Sequence, residues 1–248
     1  QERISFDVDD EEWRKWANQH IYYRDGISFD EMNSTQREAA LAMLGESLSA
    51  RGLSLSQDIM RLNTTLGELN GDNFVEYGEG KYWITIMGTP SATEPWGWQL
   101  DGHHLNLNYF IIGDQVVMTP AFWGSEPAVA ESGEHAGTAI MEDEQRYGLA
   151  MVNTLDENQR TKAILETSKT GNNIMTQAFS DNVVLDYAGI KVSELSPPQK
   201  QQLMRLIGIY VGNMREGHQG VRMAEIEAHL DDTWFAWIGE TDSDAIFY

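Results

Sequence analysis

Apolar residues spaced three and four apart predict two helices in the first third of the chain. The first follows the polar cap Asn33-Ser34, carries an apolar stripe over Ala40–Leu48 and ends at Arg51-Gly52. The second begins near Ser56 and keeps the same spacing as far as Leu69. Because only a short connection separates them, we expect the two helices to form a helical hairpin.

The middle of the chain changes to the residue types and the alternation of strands. Lys81–Met87 is rich in aromatic and β-branched residues, and Gln99–Ile112 is predicted as one long strand. Gly113-Asp114 is a two-residue hairpin signal, after which Gln115–Thr119 returns alongside the long strand. Pro120 has no amide hydrogen to donate and is expected to end regular pairing.

Helical spacing resumes in the second half of the chain, from Glu142 onwards. Asp156 is predicted to cap a further helix that runs through Leu165. Ser196-Pro197 combines a polar cap with a proline in the first turn and is predicted to begin another helix. A last helix is expected over roughly Gly220–Leu230.

The chain then returns to strand character over Thr233–Ile238. Ile246–Tyr248 follows an acidic turn and is predicted to open a second strand, so we expect the chain to stop inside a longer protein. Strand and helix segments are segregated rather than alternating, which predicts the α+β class. We expect a single domain over residues 1–248, with helical hairpins packed on a mostly antiparallel sheet around a central long hairpin, Gln99–Thr119.

The chain is strongly acidic, with 17 Lys and Arg residues against 39 Asp and Glu residues and a net charge of −22. Nucleic acids and anionic membranes attract concentrated basic residues, so this balance argues against both as partners. No apolar run reaches the roughly 18 residues that suggest a membrane span. One interpretation of the acidic excess is a solvated surface suited to salty or extracellular conditions. The alternative is an acidic site for a cationic ligand. The start at Gln1 rather than Met favours a processed chain.

Cysteine is absent from the sequence, which excludes disulfides, thiolate metal sites, cysteine nucleophiles and iron–sulfur clusters. Any catalysis would therefore use histidine, carboxylates, hydroxyls, lysine or a metal held by nitrogen and oxygen. Three of the six histidines lie within the short segment Asp101–His135. The candidate chemistry is therefore concentrated in this segment.

On a single strand, alternate side chains point to opposite faces. His104, Asn106 and Asn108 would then form a polar row, while His103 continues an apolar one. The polar row is either a wet, functional face or an ordinary solvent-facing strand surface. The alternation by itself favours neither interpretation.

A metal site is one prediction from the same segment. Continuing the hairpin register beyond its proline brings Glu126 back towards Asp101, beside His103 and His104. Two imidazoles and two carboxylates can hold zinc, iron, copper or manganese, and such a metal can activate water. Adjacent histidines diverge on a strand, so both can be ligands only if the backbone kinks at Gly102. A hydrogen-bond network without an ion is the alternative.

Three further residues are candidates for catalytic proton transfer at such a site. Glu134 and His135 lie on the loop that follows, and His218 lies between two predicted helices, from which it could reach the strands. A cap at a helix end is the structural alternative for His218. The remaining histidines, His20 and His229, are predicted to be structural or surface residues.

A non-catalytic binding site is the competing hypothesis. Trp96 and Trp98, together with Asn106 and Asn108, would bind a small or carbohydrate-like ligand by stacking and hydrogen bonding. Packing in the core and in loops is the alternative role of these tryptophans. A third hypothesis is an exported structural protein that self-associates through an unpaired strand at the end of the chain.

The run GTPSATEPWGWQLDGHHLNLNYFIIGDQVVMTPAFWGSEP, residues 88–127, resembles the hallmark of the family called domain of unknown function 3500. The similarity extends to RDGISFDEMNSTQREAALAML (24–44), IMRLNTTLGEL (59–69) and GHQGVRMAEIEAHLDDTWFAWIG (217–239). It thus covers nearly the whole chain, and GWQLDGHH is its most specific part.

The resemblance implies an exported, mainly bacterial protein, and it brings no established activity from which a catalytic role could be carried over. It also implies that family members continue past Tyr248 into a further strand region with additional histidines, so that part of the site would lie outside this chain. The resemblance and the acidic composition together predict a secreted or periplasmic location. The histidines and carboxylates of the strand segment predict a metal-dependent enzyme, and we expect it to be a hydrolase. Its predicted ligand pool is Asp101, His103, His104 and Glu126.

Overall fold

The computed structural model describes residues 3–168, 178–180 and 183–242, which form two compact units. The described residues of the first unit come from Gln1–Ser47, Gly52–Ile140 and Ile174–Val183. Those of the second unit come from Leu48–Arg51, Met141–Asn173 and Val184–Tyr248. The single domain expected over residues 1–248 stays a prediction.

The predicted helical hairpin is confirmed as α1 (Ser34–Ser47) and α2 (Ala50–Leu69). The Asn33 side chain accepts a hydrogen bond from the Gln36 amide, and the Gln36 side chain accepts one from the Asn33 amide, both at 3.0 Å, which forms a capping box. The helix end predicted at Arg51-Gly52 is wrong, because both residues lie in the first turn of α2. A glycine inside a helix costs only about 1 kcal/mol, which the packing of a long helix offsets.

Six strands among the described residues of the first unit form one mixed, mostly antiparallel sheet, which confirms the α+β class. They are β1 (Ser5–Phe6), β2 (Ile27–Ser28), β3 (Tyr82–Met87), β4 (Trp96–Gly102), β5 (Leu105–Ile112) and β6 (Gln115–Trp123). Their order is β1-β3-β4-β5-β6, and β2 also pairs with β3. β1 runs parallel to β3, and the other pairs are antiparallel.

The segment Gln99–Ile112, predicted as one strand, is two strands joined by a tight turn at His103 and His104. Gly102 pairs with Leu105 across the turn, so residues of opposite parity share a face. The buried apolar positions accordingly change from even numbers in β4 to odd numbers in β5. This change of parity is the signal for the turn in the sequence. It is easily missed because histidines are not the asparagine and glycine that usually mark two-residue turns.

The hairpin predicted about Gly113-Asp114 is confirmed as β5 and β6, which occupy one side of the sheet. The end of pairing expected at Pro120 is wrong, because β6 continues to Trp123. The pairing register shifts between Leu107 and Tyr109 of β5, opposite the proline. A proline is tolerated at such an irregularity because the ladder there requires no amide from it.

One face of the sheet is apolar and packs against α2. Trp98, Leu105 and Leu107 are fully buried. Trp123, which pairs with Leu105, donates its indole N–H to the Ser56 hydroxyl of α2 at 3.1 Å. The apolar face of the sheet and α2 therefore share one core.

The opposite face is polar and is also buried. It carries the side chains of Gln99, Asp101, Asn106 and Asn108. The Asn108 amide donates to the backbone carbonyl of Trp13 at 2.8 Å, which places the N-terminal segment over this face. Asn106 and Asn108 of the predicted polar row are therefore interior, on neither a wet functional face nor a solvent-facing surface, because a segment from the start of the chain covers them.

The second unit is mainly helical. Its elements are α3 (Glu142–Asn153), α4 (Glu157–Ala163), β7 (Ile164–Glu166), β8 (Ile190–Lys191), α5 (Pro197–Val211), α6 (Glu216–Ala228), β9 (Trp234–Phe235) and β10 (Trp237–Ile238). β7 pairs in parallel with β10, and β8 pairs antiparallel with β9. Met151, Val152, Ile190 and Leu203 are among its buried core residues.

Two of the helix starts predicted in this unit are confirmed by their caps. Asp156 and Gln159 form a capping box at the start of α4, and Ser196 and Gln199 form another ahead of Pro197. α6 begins four residues before the predicted position, and the strand predicted over 233–238 is two short strands. The strand predicted at 246–248 lies outside the described residues. None of the described helices has both the length and the apolar character needed to cross a membrane.

Candidate functional site

The turn between β4 and β5 holds two adjacent histidines in a fixed position. His104 has a backbone φ of 59°, in the left-handed region that non-glycine residues rarely adopt. Its amide donates to the carbonyl of Asn18 at 2.9 Å, and its carbonyl accepts from the Gly124 amide at 2.8 Å. Such strain persists only where surrounding contacts impose it, and it is concentrated at functional sites.

Glu126 joins the two histidines from the loop that follows β6. The ligand atoms of His103, His104 and Glu126 all lie within 4.8 Å of one another. The two imidazole rings have their centroids 4.1 Å apart and are inclined by 61°. His103 is buried, His104 is half-buried and Glu126 is exposed, so the cluster opens to solvent on the carboxylate side.

The orientation of the His103 ring is set by a side chain of α2. Its Nδ1 lies 2.9 Å from Oδ1 of Asn63. The Asn63 amide nitrogen donates to the Gly78 carbonyl at 3.0 Å, which leaves Oδ1 as the acceptor. We therefore assign the proton of His103 to Nδ1 and the free lone pair to Nε2. An outer hydrogen bond of this kind orients many metal-binding histidines.

Both histidines of the turn are held in the neutral form. Burial lowers the pKa of His103 to about 3, and the neighbouring His104, His20 and Arg24 lower it further. Burial also lowers the pKa of His104, against the opposing effect of Glu126 and of a hydrogen bond with the Ser125 backbone. Neutral imidazole is the form that binds a metal ion.

Two residues beside the cluster were missed as candidates. The ring of His20, predicted to be structural or on the surface, lies 5.3 Å from that of His103 and 4.8 Å from that of Tyr77. The Tyr77 hydroxyl is 3.4 Å from Nε2 of His20. Burial raises the pKa of Tyr77, and the charges of Glu76 and Glu126 raise it further. No spacing pattern in the sequence links these distant positions to the histidine turn.

A family model described as a protein of unknown function, DUF3500, matches residues 1–248, the whole chain. The chain belongs to the DUF3500 family. This confirms the resemblance drawn from the GWQLDGHH segment. No curated protein and no solved structure matches the chain. The function of this DUF3500 protein is therefore argued from its site.

Asp101, predicted as a ligand in the DUF3500 chain, does not join the three-residue cluster. Its Oδ2 lies 3.3 Å from Nε of Arg24, and its Oδ1 accepts from the Ala17 amide at 3.4 Å. Burial raises the pKa of Asp101 to about 7, against the opposing charge of Arg24. The prediction extended one strand through the turn, whereas the structure places Asp101 on the polar face beneath the N-terminal segment.

The three proton-transfer candidates of the DUF3500 chain lie outside the three-residue cluster. The Glu134 amide donates to Oε1 of Glu68 at 3.0 Å, and Nε2 of His135 lies 3.7 Å from Oε2 of Glu79. His218 lies in the first turn of α6, in the second unit. Their catalytic roles stay predictions.

The aromatic and amide residues predicted to bind a ligand in the DUF3500 chain are mostly interior. Trp98 is fully buried and stacks on Tyr109, with ring centroids 5.1 Å apart. Asn106 donates to the Gly102 carbonyl at 3.2 Å, and Asn108 accepts from Gln99 and donates to the N-terminal segment. Trp96 is half-buried and donates to the Ser91 carbonyl at 2.9 Å. The structure therefore favours packing and internal hydrogen bonding for these side chains.

Proposed function

We propose that this DUF3500 protein is a secreted or periplasmic hydrolase that binds a divalent transition metal through His103, His104 and Glu126. The observation that carries the proposal is the approach of these three donors to within 4.8 Å of one another. Two histidines and one carboxylate are the ligands of several catalytic zinc sites, in which a further position stays open for water or substrate. Iron, copper and manganese are the alternative metals.

The bound metal would supply a Lewis acid and an activated water molecule. Asn63 would keep Nε2 of His103 directed at the ion, and the exposed Glu126 would lie on the side from which substrate approaches. His20 and Tyr77, whose rings lie beside His103, would hold and move protons. The acidic composition and the family resemblance support the proposed location outside the cytoplasm.

Metal-free protein titrated with Zn²⁺, Fe²⁺, Cu²⁺ or Mn²⁺ is expected to bind one ion per chain. His103→Ala and His104→Ala are each expected to weaken this binding by about 100-fold, because the loss of an outer-shell partner alone lowers metal affinity by about 10- to 100-fold. Isothermal titration and elemental analysis measure both. Removing the metal should also lower thermal stability, because a ligand present at a concentration of 100 times its Kd raises the free energy of unfolding by about 2.7 kcal/mol.

His229→Ala is the matched control, because it removes one imidazole that does not belong to the cluster. The metal site is refuted if the purified protein holds no stoichiometric transition metal and chelation leaves thermal stability unchanged.

Hydrolase activity is tested by comparing metal-loaded and chelated samples on chromogenic carboxylic and phosphate esters. Metal-dependent turnover that Glu126→Gln abolishes is expected, and an equal rate in both samples would contradict a hydrolase.

Asn63 offers a second test, on the orientation of the His103 ring. Asn63→Leu is expected to weaken metal binding by about 10- to 100-fold, because Nδ1 of His103 loses its acceptor. Asn63→Asp keeps an acceptor for Nδ1 but cannot donate to Gly78, and it should bind metal at least as tightly as the wild type. Metal titration and the ¹⁵N chemical shifts of His103 report affinity and tautomer. Equal losses in both variants would show that the bond to Gly78 matters instead.

A further inference from the structure

The first unit contains a cavity of about 390 Å³ between α1, α2 and the loop that precedes β3. Its volume lies in the range of about 300–1,000 Å³ that is usual for small-molecule sites. Leu41 of α1, the buried Met60 of α2 and the partly exposed Phe74 provide an apolar wall. A molecule with an apolar body would fit this wall.

The charged residues of the lining differ in how far the protein already uses them. Nζ of Lys81 lies 3.4 Å from Oδ2 of Asp30, and Oε2 of Glu79 lies 3.7 Å from His135. Arg37 donates from Nε to the Met32 carbonyl at 3.2 Å. Arg37 is exposed, and among the described residues none accepts a hydrogen bond from the two terminal nitrogens of its guanidinium. This planar fork is suited to a carboxylate, which it can hold through two parallel hydrogen bonds.

We propose that this cavity binds a small carboxylate with an apolar body. Its carboxylate pairs with Arg37, and its body packs against Leu41, Met60 and Phe74. Tyr77 lines the cavity and also has its ring centroid 5.8 Å from that of His103. A molecule in the cavity therefore contacts a residue that contacts the candidate metal centre. The binding site stands on its own, whereas its role as the substrate site rests on the proposed function.

The probe is 3-phenylpropionate, titrated into metal-free protein and followed by NMR or calorimetry, with the neutral 3-phenylpropanamide as its matched control. We expect saturable binding of the acid and at least about tenfold weaker binding of the amide, because only the carboxylate can accept charge-assisted hydrogen bonds. Arg37→Gln should reduce acid binding by at least about tenfold. Arg61→Gln should leave it unchanged, because Arg61 pairs with Asp58 and does not line the cavity.

Leu41→Glu is the second variant, which places a like charge against the carboxylate and should abolish acid binding in a folded protein. Circular dichroism establishes that each variant is folded. The inference is overturned if the acid does not bind saturably, if the amide binds as well as the acid, or if Arg37→Gln binds the acid as the wild type does. Metal titration of the same samples separates this outcome from a failure of the proposed hydrolase site.

Discussion

Above pH 7, where the Asp101 carboxyl is ionised, replacing Arg24 by alanine is expected to lower the free energy of unfolding of the first unit by about 3–5 kcal/mol, the loss typical of breaking a buried ion pair. The side chains of Arg24 and Asp101 are only 2% and 10% exposed, and Nε of Arg24 lies 3.3 Å from Oδ2 of Asp101. Removing the guanidinium leaves a carboxyl group buried without its opposite charge. Water cannot easily replace the lost partner, because the N-terminal segment covers this face of the sheet.

Arg24 also holds the backbone of the segment that carries His20. Its Nη2 donates to the carbonyls of Ala17 and Gln19 at 2.6 and 2.8 Å, and its Nη1 donates to that of Tyr22 at 3.2 Å. The loss of these hydrogen bonds destabilises the folded state in addition to the loss of the ion pair. Chemical denaturation measures the loss of stability, and hydrogen exchange of the β4 and β5 amides assigns it to the first unit.

One double variant separates the charge from the carbonyl contacts. Arg24→Ala combined with Asp101→Asn should recover part of the loss above pH 7, because asparagine has no carboxylate that must be buried without a partner. A double variant no more stable than Arg24→Ala would contradict the role of the ion pair. Lys81→Ala is the surface control, since its pair with Asp30 is solvent-exposed and should contribute less than about 1 kcal/mol.

The loss of stability in Arg24→Ala is expected to change with pH in a definite direction. Burial raises the pKa of Asp101 from 3.8 to about 7, so its contribution to stability is present below pH 4 and is lost as the pH rises through 7. Without Arg24 the pKa in the folded state rises further. The deficit of Arg24→Ala relative to the wild type should therefore grow above pH 7, by at most about 1.4 kcal/mol per pH unit. Urea denaturation across this range measures the deficit, and a shrinking one would contradict the assignment.

Gly102→Ala is expected to destabilise the first unit by about 3 kcal/mol, the upper end of the usual cost of overpacking a core. A Cβ at this position would lie 2.1 Å from Cδ1 of Tyr82 and 2.6 Å from Cε1. Tyr82 is fully buried, and its hydroxyl donates to the His103 carbonyl at 2.9 Å. The ring cannot move aside without disturbing the histidine turn, so the same variant should also weaken metal binding.

Chemical denaturation and zinc titration of Gly102→Ala measure the two effects. Gly45→Ala in α1 is the matched control, because its new Cβ meets only Cδ2 of Leu53 at an ordinary 3.5 Å. We expect it to stabilise the helix by up to about 1 kcal/mol and to leave metal binding unchanged. Adding Tyr82→Leu to Gly102→Ala should recover part of the loss. Wild-type stability in Gly102→Ala would show that the ring can move without cost.

The sequence by itself determined most of the helices and where they begin. Asn33, Asp156 and Ser196 were recognised as caps, and each completes its hydrogen bonds with a residue three positions later. Such contacts form within one turn of chain and need no partner from elsewhere. The same reason explains the hairpin at Gly113-Asp114, whose two-residue turn sets the pairing of its neighbours.

Part of the candidate site could also be predicted. The hairpin register carries the chain back far enough to bring Glu126 towards His103 and His104, so the three donors were proposed together. The path by which they meet was not predicted, because the two histidines form a turn rather than part of a strand. For the same reason the prediction placed Asp101 with these donors, whereas it lies outside the cluster.

Only the tertiary structure decided which segments cover the two faces of the sheet. α2 brings Asn63 to His103 on one side, and the N-terminal segment brings Arg24 to Asp101 on the other. These partners are separated by 40 and 77 residues, beyond the reach of any local spacing pattern. A polar face can be buried only where the covering segment supplies hydrogen bonds and opposite charge, so the role of each polar side chain depends on the segment that packs against it.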